Sequence, residues 1–570
     1  MDVTTDLSTA VEDHVGPGDT IHFRGGYQFS FPTLHELVRQ YWDATLPPGE
    51  RFTLVAIGAG TWAGPLVLAD AVDRLEVAFA GLGYPAPGPH AVTRERAAEG
   101  DLDIESWTYL TVIERLRAAA LDHPFVPTNS LSGSSVGPAE KTARVESPFG
   151  DDESLVIPPL SPDISVVHGV AGDRDGNVVV SPIQSEGHWG AYAADTVIAT
   201  VEAVVDGDTV REYGDQTGVP GYAVDAVVET PFGAHPGPLF NPHGVGGVSG
   251  YGYDRPFYMD FREASGSADA LEAWTEEWLL GTDWAGYLER LGTDRLRGLS
   301  SQTLPTGSQR AALDSPDVPD TEAEPPAERE RMVVWTAREL VDRVAAGDHE
   351  VVFGGIGVSH LASWLYRELC EREGIEPRPL LVESGTYDFE VPRNDAYIFT
   401  PRALPTAKVV DTSVFALGLV MSTAQNLSVL TGAQVDRRGK VNSTQLGGDY
   451  FVGSGGANDA LSNSDEVVLV VDASPHRLVD EVEYVTGPGR NVTTVVTQYG
   501  TLRKVDGELQ VDTVHVPPGG SAETRLAALE DAVGWDLGRT GDIDERGWRE
   551  RDAELVEVLR SVDPQGDFRV

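Results

Sequence analysis

The chain has 570 residues, 41% of them hydrophobic, which is enough sequence for two or three domains with buried cores. It carries 90 acidic and 42 basic residues, and a net charge of −48 argues against nucleic acids and anionic membrane surfaces as partners. No apolar run approaches the ~20 residues that span a bilayer, and a single cysteine, Cys370, excludes an internal disulfide.

The acidic residues are spread along the whole chain, and lysine occurs only at positions 141, 408, 440 and 504. This charge can serve either as a field that attracts a partner or as a means of solubility in concentrated salt. The even spread favours salt adaptation, because a Debye length of about 3 Å at molar salt screens the repulsion between carboxylates. Since the N-terminus also lacks an apolar segment, we predict a cytoplasmic protein from a salt-accumulating halophile.

Short apolar segments alternate with amphipathic ones along the chain. This pattern predicts strands at 53–57, 76–79, 197–203, 378–382 and 466–471, and helices at 109–121, 271–280 and 361–371. Short apolar strands joined by helical crossovers are typical of parallel or mixed sheets, so the predicted fold class is α/β. In such sheets, ligands bind at the carboxyl ends of the strands.

Residues 305–331 interrupt this alternation, because they are rich in Pro, Glu, Asp and Ala and contain almost no large apolar residues. The composition is typical of a linker. We therefore predict a domain at 1–304, an acidic linker at 305–331 and a second domain at 332–570.

The two predicted domains repeat each other in two places. Residues 18–42 and 347–369 both read as a Gly-Asp turn, a short strand, a Gly-Gly pair and a helix. Residues 169–181 and 432–444 both read as a strand, an Asp-x-x-Gly turn and another strand. A divergent duplication therefore predicts two related open α/β domains that pack with the active site between them.

Glu383 follows the predicted strand 378–382 directly, within the segment LLVESGTYDFEVP. A carboxylate at this point lies where α/β active sites usually lie. From these residues alone, a solvated glutamate that starts a loop is the favoured interpretation.

A glycine-rich turn at 453–458, GSGGAN, leads into a short polar helix. Glycines leave backbone N–H groups open to a phosphate or to an oxyanion. The same residues also fit a plain tight turn. The sequence is neither a Walker A motif nor a dinucleotide-binding fingerprint.

The sequence favours no metal site. His235 and His243 lie among glycines and prolines, but zinc requires further spaced ligands. The DRDG segment at 173–176 lacks the later oxygen ligands of a calcium loop, so we expect a hairpin turn there.

These segments together resemble the family I coenzyme A transferases, and in particular their glutaconate CoA-transferase branch. The first half resembles the α subunit in GDTIHFRGGYQFSFP, AAALDHPFVPTNSLSGSS and VPGYAVDAVVETPFGAHPG. The second half resembles the β subunit in LLVESG, GAQVDRRGKVNST, FVGSGGAND, EYVTGPGRN and VDPQGDF. The resemblance implies two subunits fused in one chain.

The resemblance also implies roles for individual residues. Glu383 matches the family's catalytic glutamate, which acts by a ping-pong mechanism through glutamyl anhydride and glutamyl-CoA thioester intermediates. The implied oxyanion and CoA contacts come from Gly455, Gly456 and Ala457, with Gly25 and Gly26 in the matching loop of the first half. The implied substrates are an acyl-CoA and a carboxylic acid, with no other cofactor and no metal, in a homodimer or higher homo-oligomer.

Two departures leave alternatives open. Residues 81–100 match the glutaconate enzymes poorly, so the resemblance does not extend to glutaconate as substrate. A thioester hydrolase of the same superfamily uses an acidic residue of the α half, and here Tyr109 aligns with it, between Glu105 and Glu114. Retention of Glu383 favours a transferase over a ring-opening hydrolase or a non-catalytic acyl-CoA-binding protein.

Overall fold

The computed structural model describes residues 2–568 except residues 27, 59–60, 86, 183–184 and 302–324. Its architecture is mixed α/β, and each half of the chain contributes one large sheet. Most of the predicted linker therefore lies outside the described residues. The next helix begins at Glu328, so the last four residues of the predicted linker, 328–331, are helical instead.

The first half forms a mainly parallel sheet. Its strands are β1 (Thr20–Phe23), β2 (Phe52–Ala56), β3 (Val72–Val77), β4 (Asp103–Ser106), β5 (Val126–Thr128), β6 (Ala143–Glu146), β7 (Glu153–Ile157), β8 (Ile164–Asp173), β9 (Val178–Val179), β10 (Thr196–Val205), β11 (Thr217–Val219) and β12 (Ala226–Glu229). Seven of them run parallel in the order β12–β10–β8–β1–β2–β3–β4. Strands β9 and β11 add antiparallel pairs at the far end of β8, and β5, β7 and β6 form a separate small sheet.

Helices cover this sheet and bury its apolar side chains. They are α1 (Leu7–His14), α2 (Phe31–Tyr41), α3 (Gly64–Leu68), α4 (Ala91–Glu99), α5 (Tyr109–Ala120), α6 (Trp189–Ala193), α7 (Gly207–Glu212), α8 (Arg255–Ala264), α9 (Ala268–Thr275), α10 (Trp284–Leu291) and α11 (Thr293–Ser301). The predicted helix 271–280 is divided, because a π-helical turn, Glu276–Leu280, follows α9.

The described part of the second half has fifteen strands, ten of which form one large sheet. Its strands are β13 (Val351–Gly354), β14 (Leu380–Leu381), β15 (Thr386–Tyr387), β16 (Val409–Val410), β17 (Asn426–Leu430), β18 (Gln434–Asp436), β19 (Val441–Asn442), β20 (Gln445–Leu446), β21 (Asp449–Tyr450), β22 (Glu466–Val470), β23 (Leu478–Val479), β24 (Val492–Val496), β25 (Gly500–Val505), β26 (Glu508–Val516) and β27 (Arg539–Gly547). The large sheet has the order β16–β15–β14–β13–β17–β22–β24–β25–β26–β27. Strands β14, β13, β17, β22 and β24 are parallel, and β18, β19 and β23 form a small sheet.

The helices of the second half are α12 (Glu328–Ala346), α13 (Val358–Glu373), α14 (Met421–Thr423), α15 (Ala457–Asn463), α16 (Ala522–Asp531) and α17 (Glu550–Val562). Another π-helical segment, Val414–Val420, runs directly into α14. No helix in the described part of the chain combines the length and apolar composition that crossing a bilayer requires.

Most predicted elements are confirmed to within a few residues. The strands were recognisable because buried parallel strands are continuous apolar runs in the sequence. All four residues of β13, for example, are buried. The predicted strand 378–382 is wrong in length, since only Leu380 and Leu381 pair.

The predicted Asp-x-x-Gly hairpins are confirmed in both halves. In the first, Asp173 Oδ1 accepts the N–H groups of Asp175 and Asn177, and in the second, Asp436 Oδ1 accepts those of Arg438 and Lys440. An aspartate at the first position therefore closes the turn in each half of the chain.

Candidate active site

A cavity of about 790 Å³ lies between the two halves. Its walls include residues that follow the carboxyl ends of parallel strands in both sheets, which is the usual position of a ligand site in α/β proteins. From the first sheet these are Gly25, Ile57 and Phe79, and from the second they are Gly355, Glu383 and Thr431.

Glu383 is held at this edge by a tight turn. Strand β14 ends at Leu381, and the N–H of Gly385 donates to the carbonyl of Val382 at 3.0 Å. Gly385 has a φ of +91°, a conformation that favours glycine, and the neighbouring Ser384 is fully buried. The turn therefore directs the partly buried Glu383 side chain into the cavity instead of into solvent.

The glycine-rich turn meets the Glu383 carboxylate directly. A Cβ atom added to Gly456 would lie 2.6 Å from Oε2 of Glu383 and 3.3 Å from Cδ1 of Leu417. Only glycine therefore allows this approach of backbone to carboxylate. No described residue accepts a hydrogen bond from the N–H of Gly456, which leaves this donor open beside Glu383.

Burial raises the pKa of Glu383 to about 7, and the nearby charge of Asp459 acts in the same direction as a smaller cause. Asp459 itself has a pKa raised to about 6 by burial, which three hydrogen bonds to its carboxylate partly offset. The two acids share a site from which water is largely excluded, so each makes ionisation of the other harder.

Asp459 also ties the glycine-rich turn to the first half of the chain. Its Oδ1 accepts from the hydroxyls of Thr108 and Ser130, each at 2.6 Å, and its Oδ2 accepts from the N–H of Leu110 at 3.0 Å. The adjacent Asn458 accepts from the N–H of Leu131 at 2.9 Å. One side chain therefore influences Glu383 and links the two halves of the chain.

The other predicted glycine contacts lie on the cavity wall, but most of their N–H groups are engaged. Gly455 donates to the carbonyl of Ala78 at 2.8 Å, and Ala457 donates to that of Ser454 at 3.0 Å. Gly25 donates to the buried Glu186 at 2.9 Å. These three N–H groups therefore have acceptors within the protein, and the contacts of Gly25, Gly455 and Ala457 with CoA or an oxyanion stay predictions.

Gly26 lies in the wall beside Gly25 with a φ of +91°. A Cβ added there would lie 2.7 Å from Oγ of Ser185. Both its backbone conformation and its close neighbour therefore require glycine at this position.

The cationic side chains among the described lining residues lie together at one end of the cavity. Arg329 Nη2 contacts Asp472 Oδ2 at 2.8 Å, and Arg477 Nη1 contacts the same oxygen at 3.2 Å, with His476 beside them. We call Arg329, Asp472, His476 and Arg477 the arginine end. Asp472 follows β22, and Glu383 follows β14. These two strands are three strand spacings apart in the sheet, a distance of about 14 Å.

Another part of the cavity wall is aromatic, and the sequence patterns did not single it out. Tyr253 and Tyr397, one from each half, stack with their rings 4.6 Å apart and 9° from parallel. Tyr84 meets Tyr397 edge-on at 5.4 Å, and Phe568 meets Tyr84 at 5.7 Å. We call Tyr84, Tyr253, Tyr258, Tyr397 and Phe568 the aromatic end.

The segment VDPQGDF forms part of this wall. Asp567 accepts from the hydroxyl of Tyr84 at 2.7 Å and from Nε of Arg255 at 2.8 Å, while Asp563 accepts the N–H groups of Asp567 and Phe568. The resemblance includes this segment but implies no role for it. Nothing in the spacing of residues along the chain indicates that the segment contacts Tyr84.

Helix α5 presents a tyrosine to the cavity and no carboxylate. Tyr109 lines the cavity, whereas Glu105 accepts from Lys141 Nζ and Trp107 Nε1, both at 2.7 Å. Glu114 is buried beside Asp459, and burial raises its pKa to about 8. Neither glutamate is part of the cavity wall.

His235, one of the two histidines considered for a metal site, has a partner on each ring nitrogen. His235 Nδ1 contacts the hydroxyl of Tyr287 at 2.6 Å, and Nε2 contacts Asp254 Oδ2 at 2.9 Å. Among the described residues, no group of three or more His, Cys, Asp or Glu side chains has the arrangement of a metal site.

The charges of the cavity are nearly balanced, unlike those of the whole protein. Besides Glu383, the described lining residues with permanent charge are Arg329, Arg477, Asp472 and Asp567. Their charges cancel, so the site is close to neutral in a chain of net charge −48.

Comparison with known proteins shows what parts of this chain are similar to. Residues 4–230 match the family model described as "Coenzyme A transferase". One subunit of glutaconate CoA-transferase from Acidaminococcus fermentans is 28% identical over 35% of this chain and 66% of its own length. The other subunit of that enzyme is 33% identical over 19% of this chain and 45% of its own length. The chain therefore spans less than two thirds of either relative.

The fold extends the comparison to almost the entire chain. A crystal structure of an acyl-CoA transferase from Escherichia coli O157:H7 superimposes with a TM-score of 0.66, at 14% identity, over 97% of this chain and 96% of its own. The architecture is that of the CoA-transferase fold. The family model matches part of the first half of the chain, and the length of the chain and its similarity to both subunits of one relative are consistent with a fusion.

Proposed function

We propose that the protein is a CoA-transferase that moves CoA from an acyl-CoA to a carboxylic acid, with Glu383 as the nucleophile. The observation that carries the proposal is that the Glu383 carboxylate lies beside Gly456, whose N–H has no acceptor among the described residues, inside the cavity between the two halves. A carboxylate and an unpaired backbone donor at one point are the two groups that acyl transfer needs.

In the first step, a Glu383 oxygen attacks the carbonyl carbon of the acyl-CoA thioester. The C–S bond breaks, CoA leaves as the thiolate, and an acyl-glutamyl anhydride remains. The thiolate then attacks the Glu383 carbonyl of the anhydride, and the C–O bond that joins this carbonyl to the bridging oxygen breaks. Free carboxylate leaves and a glutamyl-CoA thioester forms. The second carboxylic acid repeats these steps in reverse and restores Glu383.

The electrostatics of the site suit this sequence. A carboxylate is a weak nucleophile, and burial that raises the pKa of Glu383 to about 7 makes its ionised form more basic and therefore more reactive. The N–H of Gly456 is available to each oxyanion that forms next to Glu383, a contribution of several kcal/mol in comparable sites. Enclosure between the two halves limits hydrolysis of the energy-rich intermediates.

The arginine end supplies the natural partners for the phosphate groups of CoA. Arg329 and Arg477 share Asp472, so their combined charge remains positive there. Guanidinium groups suit phosphate because they donate in pairs. The pantetheine arm then runs along the carboxyl ends of β22, β17 and β13 towards Glu383.

A hydrolase is the weaker candidate on this cavity. The hydrolase mechanism requires an acidic residue from the first half, and α5 offers Tyr109 there, with Glu105 and Glu114 outside the wall. Besides Glu383, the carboxylates of the described wall are Asp472 and Asp567, and both are in ion pairs.

The test of the proposal is detection of the covalent intermediate. The protein is incubated with an acyl-CoA without acceptor and treated with borohydride or hydroxylamine, and the peptide containing Glu383 is analysed by mass spectrometry. We expect a modified Glu383 in the wild type, and in Glu383→Gln no adduct and a loss of transfer of about 1,000-fold or more.

The matched control is Glu114→Gln, which removes another buried carboxyl outside the cavity and is expected to transfer CoA normally. Full activity in Glu383→Gln, or steady release of CoA without an acceptor, would exclude the proposed mechanism.

The remaining proposals concern the setting of the enzyme. The carboxylate excess supports adaptation to a salt-rich cytoplasm, because concentrated salt screens it. The domain division at 305–331 and a homodimeric assembly also remain predictions. Both sides of the cavity come from one chain, so the proposed chemistry needs no partner residue.

A further inference from the structure

The aromatic end of the cavity offers a large apolar surface near the reacting carboxylate. Tyr397 lies close enough to Glu383 for that carboxylate to contribute, after burial, Tyr258 and Asp395, to raising the pKa of Tyr397. Tyr253 stacks on Tyr397, and Tyr84 packs edge-on against both rings. Residues from both halves therefore form a continuous aromatic wall in the cavity that Glu383 lines.

This wall carries no cation among its described residues. The arginines of the described lining, Arg329 and Arg477, contact Asp472, which follows β22, three strand spacings from the strand that ends before Glu383. Arg255 approaches the aromatic end from outside the wall, and it is paired with Asp567. A carboxylate at the distal end of an acyl group would be buried here without a counter-ion, at a cost of several kcal/mol.

Two hydroxyl groups of the wall are nevertheless open. No described residue forms a hydrogen bond with the hydroxyl of Tyr253 or Tyr397, whereas Tyr84 donates to Asp567 and Tyr258 accepts from the N–H of Tyr84. Burial raises the pKa of both tyrosines of the stack, so both remain protonated donors. They suit a neutral oxygen on the ligand and do not replace a cation.

The segment 81–100, with its several prolines, contributes to this part of the cavity. Tyr84, Pro85 and Pro87 all line it, and their rings add apolar surface and reduce conformational freedom. The arginine end therefore suits charged groups, and the prolines and tyrosines of the aromatic end suit uncharged ones.

We propose that the aromatic end binds the acyl group, and that the substrates are CoA thioesters of bulky apolar or aromatic monocarboxylic acids and not of dicarboxylic acids. This inference rests on the proposed function of Glu383, because that function places the thioester between the two ends. The proposed class differs from glutaconate, the dicarboxylate in the name of the relatives.

The test compares binding and transfer for matched pairs of thioesters. Phenylacetyl-CoA and hexanoyl-CoA are compared with glutaryl-CoA and adipyl-CoA, both by kcat/KM in the wild type and by calorimetric Kd in Glu383→Gln. We expect the uncharged esters to be preferred by about tenfold or more in both measurements. Equal or tighter binding of glutaryl-CoA would overturn the inference.

The two proposals fail in different ways. Transfer that favours dicarboxylic esters would refute the substrate class and leave Glu383 as nucleophile. Selective binding of phenylacetyl-CoA without transfer from any donor would support the substrate class and refute the transferase.

A variant pair locates the effect. Tyr253→Leu removes one ring of the stack and is expected to weaken phenylacetyl-CoA binding about tenfold while free CoA binds as before. Tyr222→Leu is the control, since Tyr222 is 84% exposed and outside the cavity. Equal weakening of CoA and phenylacetyl-CoA by Tyr253→Leu would show that the ring supports the fold and not the acyl group.

Discussion

Gly456 and Glu383 lie so close together that a Cβ atom on residue 456 would approach Oε2 of Glu383 to 2.6 Å. Gly456 has a φ of −85°, which any residue adopts, so the requirement for glycine comes from its neighbour and not from its backbone. The Glu383 carboxylate lies in the space that a side chain on residue 456 would occupy.

Gly456→Ala is therefore expected to keep the fold and to lose activity. The added methyl group displaces the Glu383 carboxylate from its position beside Gly456, and we expect transfer to fall about 100-fold or more with little change in melting temperature. Gly547→Ala is the matched control, because a Cβ there meets nothing within 4 Å. Normal activity in Gly456→Ala would mean that this contact has no part in the reaction.

The pH profile of kcat/KM should report the paired acids Glu383 and Asp459. Attack requires ionised Glu383, so activity is expected to rise with pH through an apparent pKa near 7. Asp459→Asn removes the neighbouring charge and should move this acidic limb to lower pH. Ser130→Ala is the matched control, because it removes one hydrogen-bond donor to Asp459 and keeps the Asp459 charge. A uniform fall in kcat in Asp459→Asn, with the limb unmoved, would show that Asp459 acts only through structure.

Glu114 is expected to reduce stability at alkaline pH. Burial raises its pKa to about 8, and its Oε2 has no hydrogen-bond partner among the described groups. Between the unfolded pKa of about 4.3 and the folded value, the folded state holds more protons, so its free energy of unfolding falls as pH rises.

Glu114→Gln removes this dependence. Relative to the wild type, the variant should gain on the order of 2 kcal/mol in the free energy of unfolding between about pH 5 and about pH 9. Denaturant unfolding at both pH values measures the gain, with the exposed Glu146→Gln as control. An equal effect of Glu114→Gln at both pH values would contradict the raised pKa.

Salt should stabilise the protein strongly. The net charge of −48 repels itself at low ionic strength, and about 3 M KCl shortens the Debye length below the spacing of most surface carboxylates. We expect the melting temperature to rise continuously between about 0.5 M and about 3 M KCl. A constant melting temperature over this range would contradict salt adaptation.

The elements of the fold were predictable wherever a local pattern determines them. The helix Tyr109–Ala120 and the strand Glu466–Val470 follow from apolar periodicity, and the Asp173 and Asp436 turns follow from one side chain that hydrogen-bonds to backbone groups two and four residues on. The division of the helix at 271–280 was not predictable, because a π-helical turn leaves no clear mark in periodicity.

The candidate site was predictable only in part. Glu383 was marked by its place after a strand, yet the same pattern fits a solvated loop residue. Asp459 lies within the FVGSGGAND motif but had no predicted role, since its partner Thr108 lies 351 residues earlier in the chain. The Tyr253–Tyr397 stack joins the two halves in the same way, and no spacing rule connects such distant residues.

The amino-acid sequence by itself therefore determined the α/β class, the repeat of the two halves and the residues at strand ends, because these depend on neighbours a few positions away. Only the tertiary structure decided that Glu383 lies beside Gly456, that the N–H groups of Gly25, Gly455 and Ala457 have acceptors within the protein, and that the cavity wall has both a charged and an aromatic part. These properties depend on exclusion of water and on groups that are distant in sequence, and both arise only when the two sheets pack together.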